Sequence, residues 1–450
     1  MMSARGGSDE SSTAVKRQDE LVAVLNALPS ESGSVGEGRW RGDSHRGHLV
    51  IVLSVLAVTL ILVLGLALSI GSVHVPFVQV WKVVAHRALP AGVVTVDWTS
   101  SIDRIVADVR LPRVLLAAVA GMALTTVGTV VQALLRNPLA SPTVLGVSSG
   151  AATGAITVMR FGLLLGGAVS FGLAAFAGAF LTLLLVLVIA RRRQTLSAGT
   201  LVLTGMAVSA LLSAVNNFMV LTSPDPQLAS QVLFWSLGGF GAAKWENLLV
   251  PTLVLAVGML FCLAEASNLN LLLGGEQTAG SLGLDVNRFR TWMFVVAAAI
   301  VGVTVAVCGV IGFVGLVMPH ITRMLVGADH RRTLPVGLLL GAIFTVLADV
   351  GARMAIEPQE LPVGIVTAFI GAPFFLFLLR RTLGETSLLS VVQNWWSRAW
   401  VSISRGATSS RMSTSSPIPV RWWGSSAPMG VASRRCCAQS STRDALRRGQ

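Results

Sequence analysis

The chain has 450 residues, 53% of them hydrophobic and only 12% charged, whereas an ordinary soluble domain carries about 25% charged residues. Its mean hydropathy of +0.73 excludes a soluble globular enzyme and makes it a membrane protein. The formal net charge is +13, but residues 386–450 alone hold nine arginines and one acid, Asp444. The basicity is therefore not a nucleic-acid surface of the apolar body. The four cysteines show no metal-ligand spacing with the six histidines.

Residues 1–48 are polar, Gly/Ser-rich and of mixed charge, which predicts a disordered cytoplasmic tail with at most a short helix near 20–28. Residues 49–70 form an apolar run too long for a signal peptide and are read as a spanning helix. Nine further spans are predicted at about 113–135, 143–163, 168–190, 199–222, 247–264, 289–308, 310–327, 334–353 and 361–379. Ten spans put both termini on one side. Arg136, Arg191, Arg192, Arg193, Arg288, Arg290, Arg323, Arg331 and Arg332 fall on that side, so the positive-inside rule makes it cytoplasmic. The first outer loop, 71–112, breaks the rule with Lys82, Arg87, Arg104 and Arg110, and Arg113 follows at its edge. It contains an amphipathic stretch at 76–88, and a second outer segment at 226–237 reads as a short helix.

The second span is broken beyond its end at Asn137-Pro138 and again at Pro142. An internal repeat shows at an offset of 181, where Gly121, Gly128, Pro138 and Gly146 match Gly302, Gly309, Pro319 and Gly327. Five spans separate the halves, so they sit inverted in the membrane, a common transporter architecture. No phosphate-cradling loop is present, because none of Lys16, Lys82 and Lys244 follows the required glycines. The GVSSG run at 146–150 lacks the strand a nucleophile elbow needs. Asp349 is the one clear acid within a late span and stands four residues before Arg353, an ion-pair spacing. His320, after Pro319, reads as a packing or helix-end histidine. This poverty of buried charge argues against proton coupling. The stretch NLLLGGEQTAGSLGLDV at 270–286 is too polar and glycine-broken to span, and suits a surface loop or short helices against a soluble partner.

Five stretches together carry a resemblance: RLPRVLLAAVAG, LLRNPLASPTVLGVSSGAATG, GGEQTAGSLGLDV, GVIGFVGLVMPHITRMLVGADHR and ELPVGIVTAFIGAPFFLFLLRR. In this order they resemble the FecCD family, permeases of type II ABC importers for iron–siderophore complexes, haem and cobalamin. The resemblance implies an all-α polytopic membrane protein of about ten transmembrane helices, with an inverted repeat and both termini cytoplasmic, in the cell membrane. The permease domain would occupy 49–383. It is followed at 384–450 by a basic Ser/Trp/Arg-rich tail, expected to be disordered or not native coding sequence. The chain would be no enzyme and would bind no cofactor. It would pair with a second permease subunit, identical or not, and two cytoplasmic ATPases would carry ATP and Mg. An extracytoplasmic binding protein would deliver substrate, expected to be a ferric siderophore.

The same resemblance assigns roles by position. Arg110, Arg113 and Arg353 would face acidic residues of the binding protein. Gly275, Glu276, Gln277, Ala279, Leu282 and Gly283 would form the helix that couples to the ATPase. Leu196, Ser197 and Ala198 would form a cytoplasmic gate, with Ala198 where some relatives carry a hydroxyl. Gly128, Asn137, Pro138, Pro142, Gly309, Pro319 and His320 would set helix breaks and packing. The translocation cavity would be lined by small and apolar residues. The alternative is a gradient-driven secondary transporter acting without an ATPase.

Overall fold

The computed structural model describes residues 42–71, 73, 75–90, 93–162, 168–191, 198–356 and 359–385. The proposed gate residues Leu196 and Ser197, the tail before 42 and the tail after 385 lie outside the described residues. The chain divides into two compact units, Met1–Leu379 and Arg380–Gln450, and the first carries the features below.

Fourteen helices are described, and no strand forms among the described residues beyond a single bridge between Ile356 and Gln359. In chain order, α1 is Gly42–Ser69, α2 Phe77–Ala88 and α3 the continuous rod Ser100–Leu135. Then come α4 (Val147–Phe161), α5 (Ala168–Ala190), α6 (Ala198–Leu221), α7 (Leu228–Ser236) and α8 (Leu249–Ala264). The second half holds α9 (Ala266–Leu273), α10 (Glu276–Ser281), α11 (Val286–Cys308), α12 (Val314–Val326), α13 (His330–Met354) and α14 (Val363–Glu385). A helix stands at each of the ten predicted spans. Seven of them, α1, α3, α5, α6, α8, α11 and α13, are long and apolar enough to cross a bilayer.

Two of the others, α4 and α12, are short for a physical reason. After α3 ends at Leu135, Arg136 adopts a left-handed conformation and the chain turns back past Asn137 and Pro138. Asn137 Oδ1 accepts the Leu139 amide at 2.9 Å, which fixes the turn. A 3-10 turn at Pro142–Leu145 then delivers α4, and Pro142 packs near Gly315 and Leu124, at the middle of the long α3 segment. On the other side of the repeat, Gly309 at φ 68° ends α11 against the Trp235 carbonyl, and α12 starts beside Leu124 and Gly128 of α3, where Gly315 packs. Each half thus contains a helix that begins halfway along its neighbours.

Corresponding helices pack in corresponding ways. α3 lies along α13, and α11 lies along α5, which pairs the second span with the ninth and the seventh with the fourth. Close contact needs small residues: a Cβ on Gly121 would sit 2.1 Å from the Gly341 carbonyl oxygen, and one on Gly128 would sit 2.0 Å from that of Gly315. Thr345 Oγ1 crosses the first of these contacts to donate to the Ala117 carbonyl at 2.8 Å. The 181-residue register is corrected, however. Leu135 and Cys308 end α3 and α11 and are 173 residues apart, and Pro138 lies in a turn while Pro319 lies inside α12.

Candidate functional site

The bundle has two differently built ends, and α13 runs between them. Its 25 residues extend for about 38 Å at 1.5 Å per residue.

At the C-terminal end of α13 the structure gathers Arg110, Arg113 and Arg353. All three are buried, and each guanidinium is engaged within the chain. The cause begins at α1. A helix leaves its last four carbonyls without partners, and in a bilayer such groups must be satisfied by the protein. Arg110 Nη1 donates to Leu68 O at 2.7 Å and to Ser69 O at 3.2 Å, and its Nη2 donates to Val73 O. Arg353 Nη1 and Nη2 donate to Ile70 O at 3.0 Å and Ala67 O at 3.1 Å. Two arginines therefore cap α1, with the sign that the helix dipole favours. Gly71 leaves room for this: a Cβ there would stand 2.7 Å from Arg110 Nη2.

Arg113 is held by acids instead. Its Nε and Nη2 donate to Asp349, the latter at 2.9 Å, and its Nη1 donates to both Glu360 oxygens at 3.0 and 2.8 Å. Asp349 also pairs with Arg353 Nε at 3.2 Å, the four-residue spacing expected from the sequence. Asp349 thus bridges arginines from the two halves of the chain. Glu360 was not foreseen; its side chain is 49% exposed, the solvent-facing edge of an otherwise buried cluster.

The approach to this cluster explains the RLPR motif. α3 widens into a π-helical turn over Ile105–Arg110, so that the Leu111 amide bonds Val106 O. In that register the amide of residue 112 would serve the Ala107 carbonyl, but Pro112 has no N–H. Trp245 Nε1–H supplies the missing bond at 3.0 Å.

The other end is built around α9 and α10. Gly275 takes φ 107° and turns the chain into α10, and Gly283 at φ 90° turns it out again. Glu276 opens α10, where the helix dipole favours an acid, and its Oε1 accepts from Arg290 Nη2 at 2.7 Å. Arg290 is 0% exposed, so this pair fixes α10 to α11. Ala279 is buried beneath α10, while Gln277 is exposed and Leu282 is 64% exposed. Asn270 on α9 clasps the start of α13: its Nδ2 donates to Asp329 Oδ1 at 2.7 Å, and its Oδ1 accepts the His330 amide at 2.9 Å. Asp329 caps α13 by accepting the Arg331 amide at 3.0 Å. Burial alone would raise the Asp329 carboxyl, but the bonds from Asn270 and the Arg331 amide, with the charges of Arg332 and Arg331, hold it below its usual value. Nearby, Arg323 Nη2 donates to Gln132 Oε1 at 2.6 Å, and the Gln132 amide donates on to Gly315 and Leu316 carbonyls. His320 stands half-buried on α12 beside Pro319, and Ala198 is the first residue of α6.

The model of the FecCD transport family matches residues 58–381. The ABC transporter permease protein YvrB of Bacillus subtilis is 38% identical over 354 residues, covering 78% of this chain and 98% of the relative. The hemin transport system permease HmuU of Yersinia pestis is 39% identical over 338 residues, covering 74% of this chain and 95% of the relative. The cobalamin import system permease BtuC of Halobacterium salinarum is 43% identical over 279 residues, covering 61% and 73%. Among solved structures, an inward-facing metal-chelate type ABC transporter superposes with a TM-score of 0.64 at 31% identity, over 73% of this chain and 99% of that one. With the family model matched over most of its helical body, and YvrB and HmuU aligned nearly end to end, the chain belongs to the FecCD transport family.

Proposed function

We propose that this chain is the membrane-embedded half of an importer for a bulky metal chelate, a ferric siderophore, received from an extracytoplasmic binding protein. The chain itself is an ABC permease subunit, and ATP hydrolysis belongs to a separate subunit. One observation carries the proposal: α10 offers an exposed tip at the end of the bundle opposite the arginine cluster, on a chain with no nucleotide-binding loop of its own. Two ATPases carrying ATP and Mg would seat on α10 of this subunit and of a second, identical or paralogous, permease. Their closure would press on α10 and tilt the bundle. In this reading α10 and both termini are cytoplasmic, as the positive-inside pattern of the sequence suggests, and the arginine cluster stands at the outer face of the cell membrane. There Arg110, Arg113 and Arg353 act by holding α1, α3 and α13 together beneath the docking surface, with Glu360 at its edge.

The relatives support this substrate class. Those named for hemin and cobalamin, and the metal-chelate transporter, share cargo in which a large organic ligand surrounds a metal. A gradient-driven carrier is disfavoured by the family and by the pairing of Asp349 with arginines. Proteoliposomes containing the permease, its ATPase and its binding protein should take up chelate only with internal or external ATP on the ATPase side. Uptake by the permease alone under a proton or sodium gradient would overturn the importer reading. Deletion should abolish growth on a ferric siderophore as iron source; loss of growth only on cobalamin or haemin would reassign the cargo.

A further inference from the structure

The start of α3 is kept in an unusual register by a donor from another element. Over Ile105–Arg110 the helix is π-helical, and the Leu111 amide bonds Val106 O. In an α register the same amide would bond Ala107 O, four residues back, and no outside donor would be needed. The π register leaves Ala107 O without a backbone partner, because Pro112 has no N–H to offer. Ala107 is 4% exposed, and a buried carbonyl left unpaired is costly. The indole N–H of Trp245, 138 residues away, meets it at 3.0 Å. Trp245 is itself 48% exposed, so this bond, more than packing, ties it to α3.

Two neighbouring elements depend on that register. Upstream of the wide turn, Asp103 pairs with Arg87 of α2. At its end, Arg110 donates to the α1 carbonyls, while Arg113, in the first regular turn, meets Asp349 and Glu360. Closing the turn by one residue would rotate Ser100–Arg104 by about 100° against the body of α3 and shift it about 1.5 Å along the axis. Asp103 would part from Arg87, and Arg110 would be drawn off α1.

Trp245 also opens the apolar rod Trp245–Ala264. One residue, Glu265, separates α8 from α9, and Gly274 and Gly275 separate α9 from α10. The donor to the α3 turn and the exposed tip of α10 therefore stand at the two ends of one nearly continuous helical run. Its 20-residue first part alone extends for about 30 Å. Coupling between sites so far apart needs an element with two discrete arrangements, and a turn that is π-helical or α-helical is one. Resting on the importer reading above, we infer that Trp245 is a positioning residue for the outer arginine cluster, a latch whose indole keeps the α3 turn open. Withdrawal of α8 under load on α10 closes the turn and resets the outer face.

Arg87→Cys and Asp103→Cys, in a chain with Cys436→Ser and Cys437→Ser, report the register through cross-linking by a short bismaleimide; Cys262 and Cys308 are buried. Benzothienylalanine at position 245, introduced by stop-codon suppression, keeps the bicyclic ring and puts sulfur where the N–H was. Losing the bond and leaving a buried acceptor behind shifts the register about tenfold, so cross-linking should slow at least about twofold. Trp245→Phe should slow it equally, and serves as the second variant should the analogue fold poorly. A tryptophan that acts only as an interfacial aromatic would leave the analogue at the wild-type rate, which overturns the latch. In the complex with ATPase and binding protein, Mg-ATP should slow cross-linking of the chain that retains Trp245, and the analogue should abolish that response. No response to Mg-ATP, with ATP-driven uptake intact in the unaltered chain, overturns the link to α10. Cross-linking that follows the indole N–H, in a protein without any ATP-driven uptake, upholds the latch and sinks the importer reading instead.

Discussion

Asp349 shows how one side chain can decide whether an arginine cluster is a surface or a joint. It is 1% exposed and accepts from Arg113 and Arg353 at once, while Glu360 serves Arg113 alone from a half-exposed position. Removing one partner of a buried pair leaves an uncompensated buried charge and costs about 3–5 kcal/mol; loss of a solvent-exposed partner costs below about 1 kcal/mol. Asp349→Asn should therefore lower the unfolding midpoint of the purified permease severely, or abolish its folded yield, while Glu360→Gln should shift it little. Equal destabilisation by the two would show that the cluster does not hold the fold through Asp349. The sequence pointed to Asp349 as the lone late-span acid and to its local partner Arg353. Its second partner, Arg113, lies 236 residues away, and only the packing of α3 along α13 reveals it. The same holds for Trp245: nothing local marks it as the donor that completes the π-turn before Pro112.

At the scale of elements, α13 is fixed at both ends, and a carboxylate holds its N-terminus. Asp329 caps it, and Asn270 binds both Asp329 and the His330 amide. The Asp329 carboxyl is held below its usual value despite burial. A carboxyl with a lowered folded-state pKa contributes stability that is complete above the unfolded-state value, about 3.9, and is lost as pH falls through the folded value. Asp329→Ala should cost about 1 kcal/mol at neutral pH, the loss of a helix cap. The difference between wild type and variant should shrink only at acid pH, below the ordinary carboxylate range. Unfolding of both proteins measured in detergent from pH 7 to pH 3 checks this; a difference that grows on acidification would contradict the assignment. The helix-forming segments were readable because long apolar runs must be helices in a bilayer. The mid-bundle starts of α4 and α12 were not, because Pro142 and Gly309 announce a break but not how deep it lies.

For the whole molecule, what matters is whether the two ends act through one body, and the α10 end, proposed above to seat the ATPase, is where that can be tested without breaking the fold. The motif at 275–283 was legible as a polar, glycine-broken stretch between spans, and its two positive-φ glycines now explain the breaks. The sequence did not show that Glu276 is already committed within the chain. It accepts from Arg290, which is fully buried, so Glu276→Arg would set two cations together and would fail for structural reasons whatever the ATPase does. Leu282 and Gln277 are exposed and make the cleaner probes. An apolar side chain that seats in a partner's pocket is the kind of residue that dominates an interface, at about 2 kcal/mol or more, which corresponds to roughly thirtyfold in affinity. Leu282→Asp should leave the permease monodisperse and as heat-stable as wild type, yet weaken co-purification with its ATPase by at least about tenfold. Gln277→Arg should produce a smaller loss. If Leu282→Asp retained the ATPase at full affinity and still supported uptake, α10 would not be the docking element, and the coupling would have to be sought elsewhere on the same end, at the exposed turn around Arg136.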